Sequence, residues 1–152
     1  MLIAPALLAD IVAHAREEYD AECCGMIAYS APGAPAGGSA VGQVSGRASN
    51  GAIRATRVHR AKNVFASRKR FEIDGRELLH TIDEFEREGW ELGAIYHSHT
   101  HTEPYPSQTD INFAANWPGL EWVIVGLAGE EPDVRCYLIE DGVVQAVPLE
   151  VR

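Results

Sequence analysis

Residues 94–110 read AIYHSHTHTEPYPSQTD and combine an apolar run, a cluster of histidines, a proline-rich loop and the start of a helix. With the residues before them they form a near-continuous apolar stretch, WELGAIYH (90–97), which predicts a strand buried on both faces. Prolines interrupt the loop, and Ser107 opens a short helix that stops before Pro118. The segment therefore predicts a central strand joined to a helix by a loop that carries polar side chains.

Helices and strands alternate along the rest of the chain. Further strands are predicted at CGMIAY (24–29), RATRVHRAKNVF (54–65) and LEWVIVGLAG (120–129), with a pair of strands within 133–151. That pair flanks an Asp-Gly turn, a strong hairpin signal that argues against a purely parallel sheet. We therefore expect an α/β (α+β) protein with a mixed β-sheet flanked by helices.

Two of the predicted helices carry an apolar stripe with helical spacing. In the N-terminal helix the stripe consists of Leu7, Leu8, Ile11, Val12 and Ala15. In the helix GRELLHTIDEFEREG (75–89) it consists of Leu78, Leu79, Ile82 and Phe85. Each stripe predicts the face that packs against the sheet, and Gly89 predicts the end of the second helix.

Length and composition predict one soluble globular unit. The chain has 152 residues, of which 46% are hydrophobic, and we expect a single domain over 1–152 with a Gly/Pro-rich loop at about 31–52. The apolar N-terminal stretch lacks a basic region and contains Asp10, unlike a secretory signal. No apolar run approaches the roughly 18 residues needed to cross a bilayer. The three cysteines include no CxxC pair, which favours reduced thiols in the cytoplasm.

Charge is distributed unevenly along the sequence. The formal net charge of -9 would repel nucleic acid from the molecule as a whole. Residues 23–71 nevertheless contain no acidic side chain and hold eight of the 13 basic ones. These are Arg47, Arg54, Arg57, Arg60, Lys62, Arg68, Lys69 and Arg70. The pattern is typical either of a solvated basic surface or of a docking surface for an acidic partner.

The histidines after the central strand predict a metal site. His97 and His99 lie at alternate positions of extended chain, so both can face one point. Asp110 falls in the first turn of the next helix, where it can return to that point; with Ser107 it could equally form an ordinary capping box. Two imidazoles and a carboxylate leave a fourth tetrahedral position for water, as in catalytic zinc sites. His101 is a further candidate ligand, although its place in the loop favours exposure.

Two other kinds of site use related ligands. Two histidines and a carboxylate also bind iron in non-haem oxygenases, where the carboxylate usually lies close to the first histidine. This oxygenase class stays open as an alternative. A zinc nucleobase deaminase requires a Pro-Cys-x-x-Cys segment, which the sequence lacks.

The complete pattern resembles the JAMM (MPN-plus, JAB domain) metalloprotease family over about residues 2 to 140. The motif consists of His97-x-His99, ten further residues and Asp110, with Ser107 three residues before the aspartate. The stretch AECCGMIAY (21–29) is similar to that family's upstream glutamate, x-Cys-Gly and strand. AKNVFAS and RFEID are similar to the small bacterial branch that acts on ubiquitin-like sulfur-carrier proteins. Thr100 stands where the family usually has proline.

The resemblance implies a fold and a set of catalytic roles. The fold implied is a mixed, largely antiparallel sheet flanked by helices, in a cytidine-deaminase-like JAMM/MPN architecture. One zinc ion would be bound by His97, His99 and Asp110. Glu22 would take a proton from the attacking water and deliver it to the leaving amine, because a carboxylate can be tuned to the working pH. Ser107 would donate a hydrogen bond to the oxyanion.

The resemblance also implies a substrate and a cellular role. It implies a peptidase or isopeptidase that hydrolyses an amide bond at the C-terminal Gly-Gly tail of a ubiquitin-like sulfur-carrier protein. A non-catalytic MPN-type scaffold that binds zinc is the alternative, since family relatives without the ligands serve as assembly modules. A membrane partner is not expected, nucleic acid is a minor option, and a homo-oligomer is compatible with the sequence.

Overall fold

Eight strands form one mixed sheet in the computed structural model, which describes residues 1–30 and 54–152. The strands are β1 (Leu2–Ile3), β2 (Cys24–Ser30), β3 (Arg54–Ala61), β4 (Glu91–His99), β5 (Glu121–Gly126), β6 (Asp133–Glu140), β7 (Val143–Val147) and β8 (Glu150–Val151). The helices are α1 (Pro5–Glu17), α2 (Gly75–Arg87) and α3 (Gln108–Ala114). The Gly/Pro-rich loop predicted at about 31–52 lies outside the described residues.

The strand order β7-β6-β5-β4-β2-β3-β1-β8 places β4 near the middle of the sheet. β4 pairs antiparallel with β2 and parallel with β5. Four of the seven pairings are antiparallel, which confirms the prediction of a mixed, largely antiparallel sheet. Only Pro148 and Leu149 separate β7 from β8, although these strands lie at opposite ends of the order. The sheet is therefore curled.

The helices pack on both faces of this sheet. Successive residues of a strand point to opposite faces, and β4 follows this rule with Tyr96 in one core cluster and Ile95 in another. The buried face of α1, with Ile11 and Ala15, belongs to the cluster of Tyr96. α2 and α3 contribute to clusters on the other face. Because both faces are covered, β4 is buried from Gly93 onward, as its apolar sequence predicts.

The predicted apolar stripe is confirmed for α1 and partly wrong for α2. Leu79 was expected against the sheet, but 65% of its surface is exposed. Leu78 and Phe85 point inward as predicted, and Thr81 joins them; the three are spaced three and four residues apart. Leu79 lies about 100° around the helix axis from Leu78, which turns it toward solvent. The sequence pattern could not separate two adjacent leucines on the edge of one stripe.

Turn residues fix the predicted boundaries. Asp74 accepts hydrogen bonds from two backbone N–H groups of the first turn of α2, and Gly89 follows the helix with a φ of 77°. In the β6–β7 hairpin, Asp141 and Gly142 have φ values of 50° and 76°. Two successive residues with positive φ are the requirement of a type I′ turn, so the hairpin prediction is confirmed.

All three cysteine side chains are buried and form no disulfide. Burial raises the pKa of the Cys23 thiol to about 12 and raises the pKa values of Cys24 and Cys136 as well. These thiols therefore stay protonated and pack as small apolar side chains.

None of the helices in the described part of the chain is long and apolar enough to span a membrane.

A glycine in β2 predicts a measurable packing constraint. A Cβ atom at Gly25 would lie 2.2 Å from the ring of Tyr96 and 2.4 Å from the backbone oxygen of His59. We expect Gly25→Ala to lower the free energy of unfolding by about 1–3 kcal/mol, the usual cost of overpacking. Gly75→Ala is the matched control, since nothing lies within 4 Å of its Cβ position. Urea titration measures both, and equal unfolding free energies for wild type and Gly25→Ala would contradict this packing.

Candidate metal centre

His97 and His99 lie at the C-terminal end of β4, and His99 is its last residue. His97 pairs with Cys24 of β2 on one side and with Ile124 of β5 on the other. His99 comes two residues later and therefore projects from the same face of the sheet. Both rings are buried at the end of the strand. The backbone of the sheet, paired on both sides, thus fixes where the two imidazoles point.

Asp110 joins them from the first turn of α3. The Ser107 side chain accepts a hydrogen bond from the Asp110 backbone N–H, and the Asp110 carboxylate accepts one from the Ser107 backbone N–H. This is the predicted capping box. The same Asp110 oxygen, Oδ2, also faces both histidines. The capping box and a ligand role are therefore compatible, because the cap holds the carboxylate in place.

Three potential ligand atoms converge on one point. His97 Nε2 lies 3.1 Å from His99 Nε2 and 3.2 Å from Asp110 Oδ2, and His99 Nε2 lies 3.4 Å from that oxygen. Ligands bound tetrahedrally at about 2.0–2.1 Å are separated from each other by about 3.3 Å. The three measured separations match this spacing. The donor set and its geometry therefore fit a small tetrahedral cation such as zinc.

The two histidine rings are oriented in different ways. His99 Nδ1 lies 2.9 Å from the backbone oxygen of Glu103, which fixes Nδ1 as the protonated nitrogen and leaves Nε2 to face the site. The ring of His97 stacks on Phe71 with a centroid separation of 4.6 Å. Its Nδ1 is buried and has no hydrogen-bond partner among the described residues. Stacking against Phe71 thus orients the His97 ring, while its Nδ1 is left without a hydrogen bond among these residues.

Electrostatics couple the three groups closely. Burial opposes the charged form of Asp110, but the histidines and the Ser107 N–H outweigh it and hold its pKa well below the usual range. Burial also acts to lower the pKa of His99, yet its hydrogen bonds to Asp110 and to the Glu103 carbonyl raise it. A metal ion bound at His99 Nε2 must displace the proton that this nitrogen carries in the charged imidazole, so metal binding releases protons.

Glu22 approaches this group from the segment just before β2. Cys24 pairs with His97, and the next residues, Cys23 and Ser98, are hydrogen-bonded to each other. Continuing the antiparallel register brings Glu22 opposite His99 on the same face of the sheet. Its side chain is buried, and burial together with the charge of Asp110 raises its pKa to about 7, against the opposing effect of His99. A carboxylate with this pKa can exchange protons near neutral pH.

The Ser107 hydroxyl retains a proton that it can donate. Its Oγ accepts the Asp110 N–H at 3.2 Å, and a hydroxyl that accepts a bond retains its own proton for donation. The residue is half-buried next to the ligand group. Its hydroxyl can therefore serve as an additional hydrogen-bond donor at the rim of the site.

His101 lies outside the ligand group. It is exposed, and its Nε2 lies 3.2 Å from Asp20 rather than beside the other histidines. The ring also contacts Tyr19 edge-on. The expectation that His101 is an exposed loop residue agrees with this position.

Sequence reasoning missed three residues that support the site. Phe71 stacks on His97, Asn63 bonds to the backbone of Glu22, and Ser98 bonds to the backbone of Cys23. Ser98 lies between the two histidines, so its position in the motif was visible. What the sequence did not show was that its side chain faces β2, on the side opposite the ligands.

The chain belongs to the family described as prokaryotic homologs of the JAB domain, whose sequence profile matches residues 4–140. A CysO-cysteine peptidase from Mycobacterium tuberculosis is 30% identical over 152 residues, which cover 99% of this chain and 90% of that protein. A desampylase from Pyrococcus furiosus is 36% identical over 77 residues, 51% of this chain and 54% of the desampylase. The chain thus aligns with about half the length of that second relative.

Solved structures share the fold. A protein from Desulfitobacterium hafniense superimposes with a TM-score of 0.78 at 24% identity, covering 99% of this chain and 92% of its own. A JAB1/MPN domain protein from Archaeoglobus fulgidus has a TM-score of 0.59 at 18% identity, covering 99% of this chain and 98% of its own.

Family membership and these peptidase relatives identify the chain as a hydrolase of the JAMM type. They favour this class over the non-haem iron oxygenase and the non-catalytic scaffold that the sequence left open.

The raised pKa of Glu22 predicts a pH-dependent stability difference in the metal-free protein. For an acid whose folded pKa is about 7 and whose ordinary value is 4.5, the folded state binds the proton more tightly. Stability is therefore lost as pH rises from about 4.5 to about 7, and the loss persists above that. Glu22→Gln removes this pH-dependent loss of stability. The free energy of unfolding of the variant should therefore exceed that of wild type by less than about 1 kcal/mol at pH 5 and by up to about 3 kcal/mol at pH 8.

Urea unfolding after treatment with a chelator measures this difference. Glu140→Gln is the control, because Glu140 is an exposed carboxylate far along the chain from the site. Its unfolding free energy should stay within about 0.5 kcal/mol of wild type at both pH values. A Glu22→Gln advantage that is the same at pH 5 and pH 8 would contradict the raised pKa.

Proposed function

We propose that this protein is a zinc-dependent peptidase or isopeptidase. It hydrolyses an amide bond at the C-terminal Gly-Gly tail of a ubiquitin-like sulfur-carrier protein. The observation that carries the proposal is the convergence of three ligand atoms of His97, His99 and Asp110 within 4.8 Å of one another, with the carboxylate of Glu22 beside them. A metal site next to a buried carboxylate of raised pKa is the combination that amide hydrolysis needs.

One zinc ion per chain would be held by His97, His99 and Asp110. Bound there, it would supply a Lewis acid and lower the pKa of a water molecule to about 7. The protein contributes the geometry, since His99 is held by the Glu103 carbonyl and Asp110 by its capping box. The burial of all three side chains keeps competing water away from the ligands.

Glu22 and Ser107 would carry the proton and charge transfers. Glu22 takes the proton of the attacking water as the new carbon–oxygen bond forms. The same carboxyl then delivers that proton to the amine as the carbon–nitrogen bond breaks, so one residue serves as base and acid in turn. Ser107 donates its hydroxyl proton to the carbonyl oxygen as negative charge develops there.

The substrate class is supported by the relatives. The CysO-cysteine peptidase aligns over nearly the whole of this chain, and the desampylase aligns over about half of it. Both names describe removal of a group from, or release of, a small protein modifier. We propose a carrier of the same kind here, with an amino acid or peptide as the released amine.

The organisation of the protein supports the same proposal. We propose that residues 1–152 form one JAMM/MPN-plus domain, because all eight described strands belong to a single sheet. We place it in the cytoplasm, since buried, unpaired thiols are typical of proteins in a reducing compartment.

Part of the basic segment borders Glu22 and could hold the carrier. Residues 62–70 follow β3 and are bonded to Glu22 through the Ser67 carbonyl and the Asn63 side chain. The exposed cations there are Lys62, Arg68, Lys69 and Arg70. The Arg70 guanidinium lies 4.1 Å from the centre of the Phe65 ring, which is itself exposed. An acidic partner with an apolar contact would fit this surface.

Two arginines of the basic segment serve other contacts. Arg60 lies 2.6 Å from Asp10 and 2.7 Å from Glu17, and Arg68 pairs with Asp20. Their charges are compensated within the protein. Lys62, Lys69 and Arg70 form no ion pair within the described residues. We assign the docking role to the adjacent Lys69 and Arg70, of which Arg70 also contacts the exposed Phe65 ring.

Charge reversal tests this docking surface. Lys69→Glu combined with Arg70→Glu should lower kcat/KM toward an extended carrier about tenfold at low salt, because attraction between the two surfaces is lost. In about 0.5 M salt the loss should shrink to about threefold or less, since ions screen exposed charges. The exposed Arg87 of α2 provides the control, and Arg87→Glu should leave kcat/KM unchanged. Equal kcat/KM for wild type and the double variant at low salt would remove the docking role.

Metal analysis and cleavage assays test the catalytic proposal. We expect about one zinc per chain and cleavage of a carrier protein that bears a C-terminal extension. Glu22→Ala should keep the zinc and lose about a hundredfold to ten-thousandfold in kcat, because only proton transfer is removed. Asp110→Ala should lose zinc and activity together. Full activity in Glu22→Ala, or a protein that carries iron and consumes oxygen, would refute the mechanism.

A further inference from the structure

We propose that Ser98 and Asn63 are positioning residues that together clamp the backbone around Glu22. The inference rests on the proposed function, in which Glu22 moves the proton. Neither side chain belongs to the ligand group. Each of them forms a hydrogen bond with the main chain on one side of the Glu22 side chain.

Glu22 requires such support because it lies outside regular structure. β2 begins only at Cys24, and α1 has ended at Glu17, so Glu22 follows a short turn. A residue in this position has no strand ladder of its own to fix its backbone. Its carboxylate can be held at the proton it is proposed to move only if the surrounding main chain is fixed by other contacts.

Ser98 supplies the first contact, from the face of β4 opposite the ligands. Its Oγ accepts the backbone N–H of Cys23 at 2.8 Å, and its own N–H donates to the Cys23 carbonyl at 3.1 Å. In a regular antiparallel pair the Cys23 N–H would instead bond to the backbone oxygen of Ser98. The side chain of Ser98 thus replaces a main-chain acceptor at the residue directly after Glu22. Ser98 itself is fully buried, so water cannot take over this bond.

Asn63 supplies the second contact, from the segment after β3. Its Nδ2 donates to the Glu22 carbonyl at 3.0 Å and to the Arg70 carbonyl at 3.1 Å. Its Oδ1 accepts from the backbone N–H groups of Phe65 and Glu72. One amide therefore joins Glu22 to both arms of the 62–73 loop. The same loop accepts the Glu22 N–H at the Ser67 carbonyl, 2.8 Å away.

Three consecutive main-chain groups around one side chain are held in this way. The Glu22 N–H, the Glu22 carbonyl and the Cys23 N–H bond to Ser67, Asn63 and Ser98 respectively. The partners come from two different parts of the chain. A loss of either side-chain partner should loosen the backbone of Glu22 without changing the ligand atoms.

Hydrogen exchange of backbone amides tests the clamp without any activity assay. In Ser98→Ala the Cys23 amide should exchange at least about tenfold faster than in wild type, because the hydroxyl oxygen that accepts its hydrogen bond is removed. In Asn63→Ala the acceptor of the Glu22 amide, the Ser67 carbonyl, remains. That amide should still exchange faster, because Asn63 holds the Glu22 carbonyl and both arms of the loop that presents Ser67. The amide of Ile124 in β5 reports global opening and should not change. Thr56→Ala is the matched control, since it removes a hydroxyl bond to the Ala28 carbonyl in the same sheet.

Kinetics with the extended carrier give the second readout. Ser98→Ala and Asn63→Ala should lower kcat about tenfold to a hundredfold with little change in KM or zinc affinity, because a misplaced carboxylate slows only proton transfer. In a Glu22→Gln background, the same substitutions should lower the residual rate less than about threefold. This non-additivity separates positioning of Glu22 from a general structural role.

The outcomes are distinguishable from those of the catalytic proposal. Unchanged exchange at Cys23 and Glu22 overturns the clamp, and so does a loss of zinc affinity that accounts for the lower kcat. If wild type binds zinc but cleaves no carrier, the proposed function fails, and the exchange rates alone decide whether the clamp exists. Faster exchange confined to the two amides then still supports it.

Discussion

The antiparallel pairing of β2 with β4 holds the candidate site together. His97 and His99 lie at the end of β4, and their direction is set by the alternation of a strand buried on both faces. The register that joins Cys24 to His97 also brings Glu22 opposite His99. A shift of this register by one residue would turn every side chain of one strand to the other face. The ligands and the carboxylate would then no longer meet, although each strand would remain intact.

The capping box at the start of α3 places Asp110 beside the two histidines of β4. Ser107 and Asp110 form a capping box, a common device for satisfying the free N–H groups at a helix start. Here the same carboxylate oxygen accepts the N–H of Ser107 and faces two imidazoles. An ordinary stabilising interaction therefore orients a potential metal ligand. The two interpretations of this motif are parts of one arrangement and do not compete.

The site and the fold were predictable to different extents. The strand, the hairpin turn and the spacing from His97 to Asp110 follow from local patterns, because alternation and capping act over a few residues. The inward face of α2 was predicted incorrectly at Leu79, since periodicity alone cannot choose between adjacent apolar residues. Asn63 and Ser98 could not be assigned a role from sequence, because their partners near Glu22 lie 41 and 75 residues away. Tertiary hydrogen bonds of this kind have no periodic signature.

The distribution of the site along the chain has a consequence for the nascent protein. The three candidate ligands all come from one segment, residues 97–110, whereas Glu22 comes from a distant part of the sequence. In the nascent protein Glu22 is therefore made well before the ligands, and it comes to lie beside them only when β4 has been made and has paired with β2. The proposed metal site and its proposed proton carrier are thus completed by the same strand pairing.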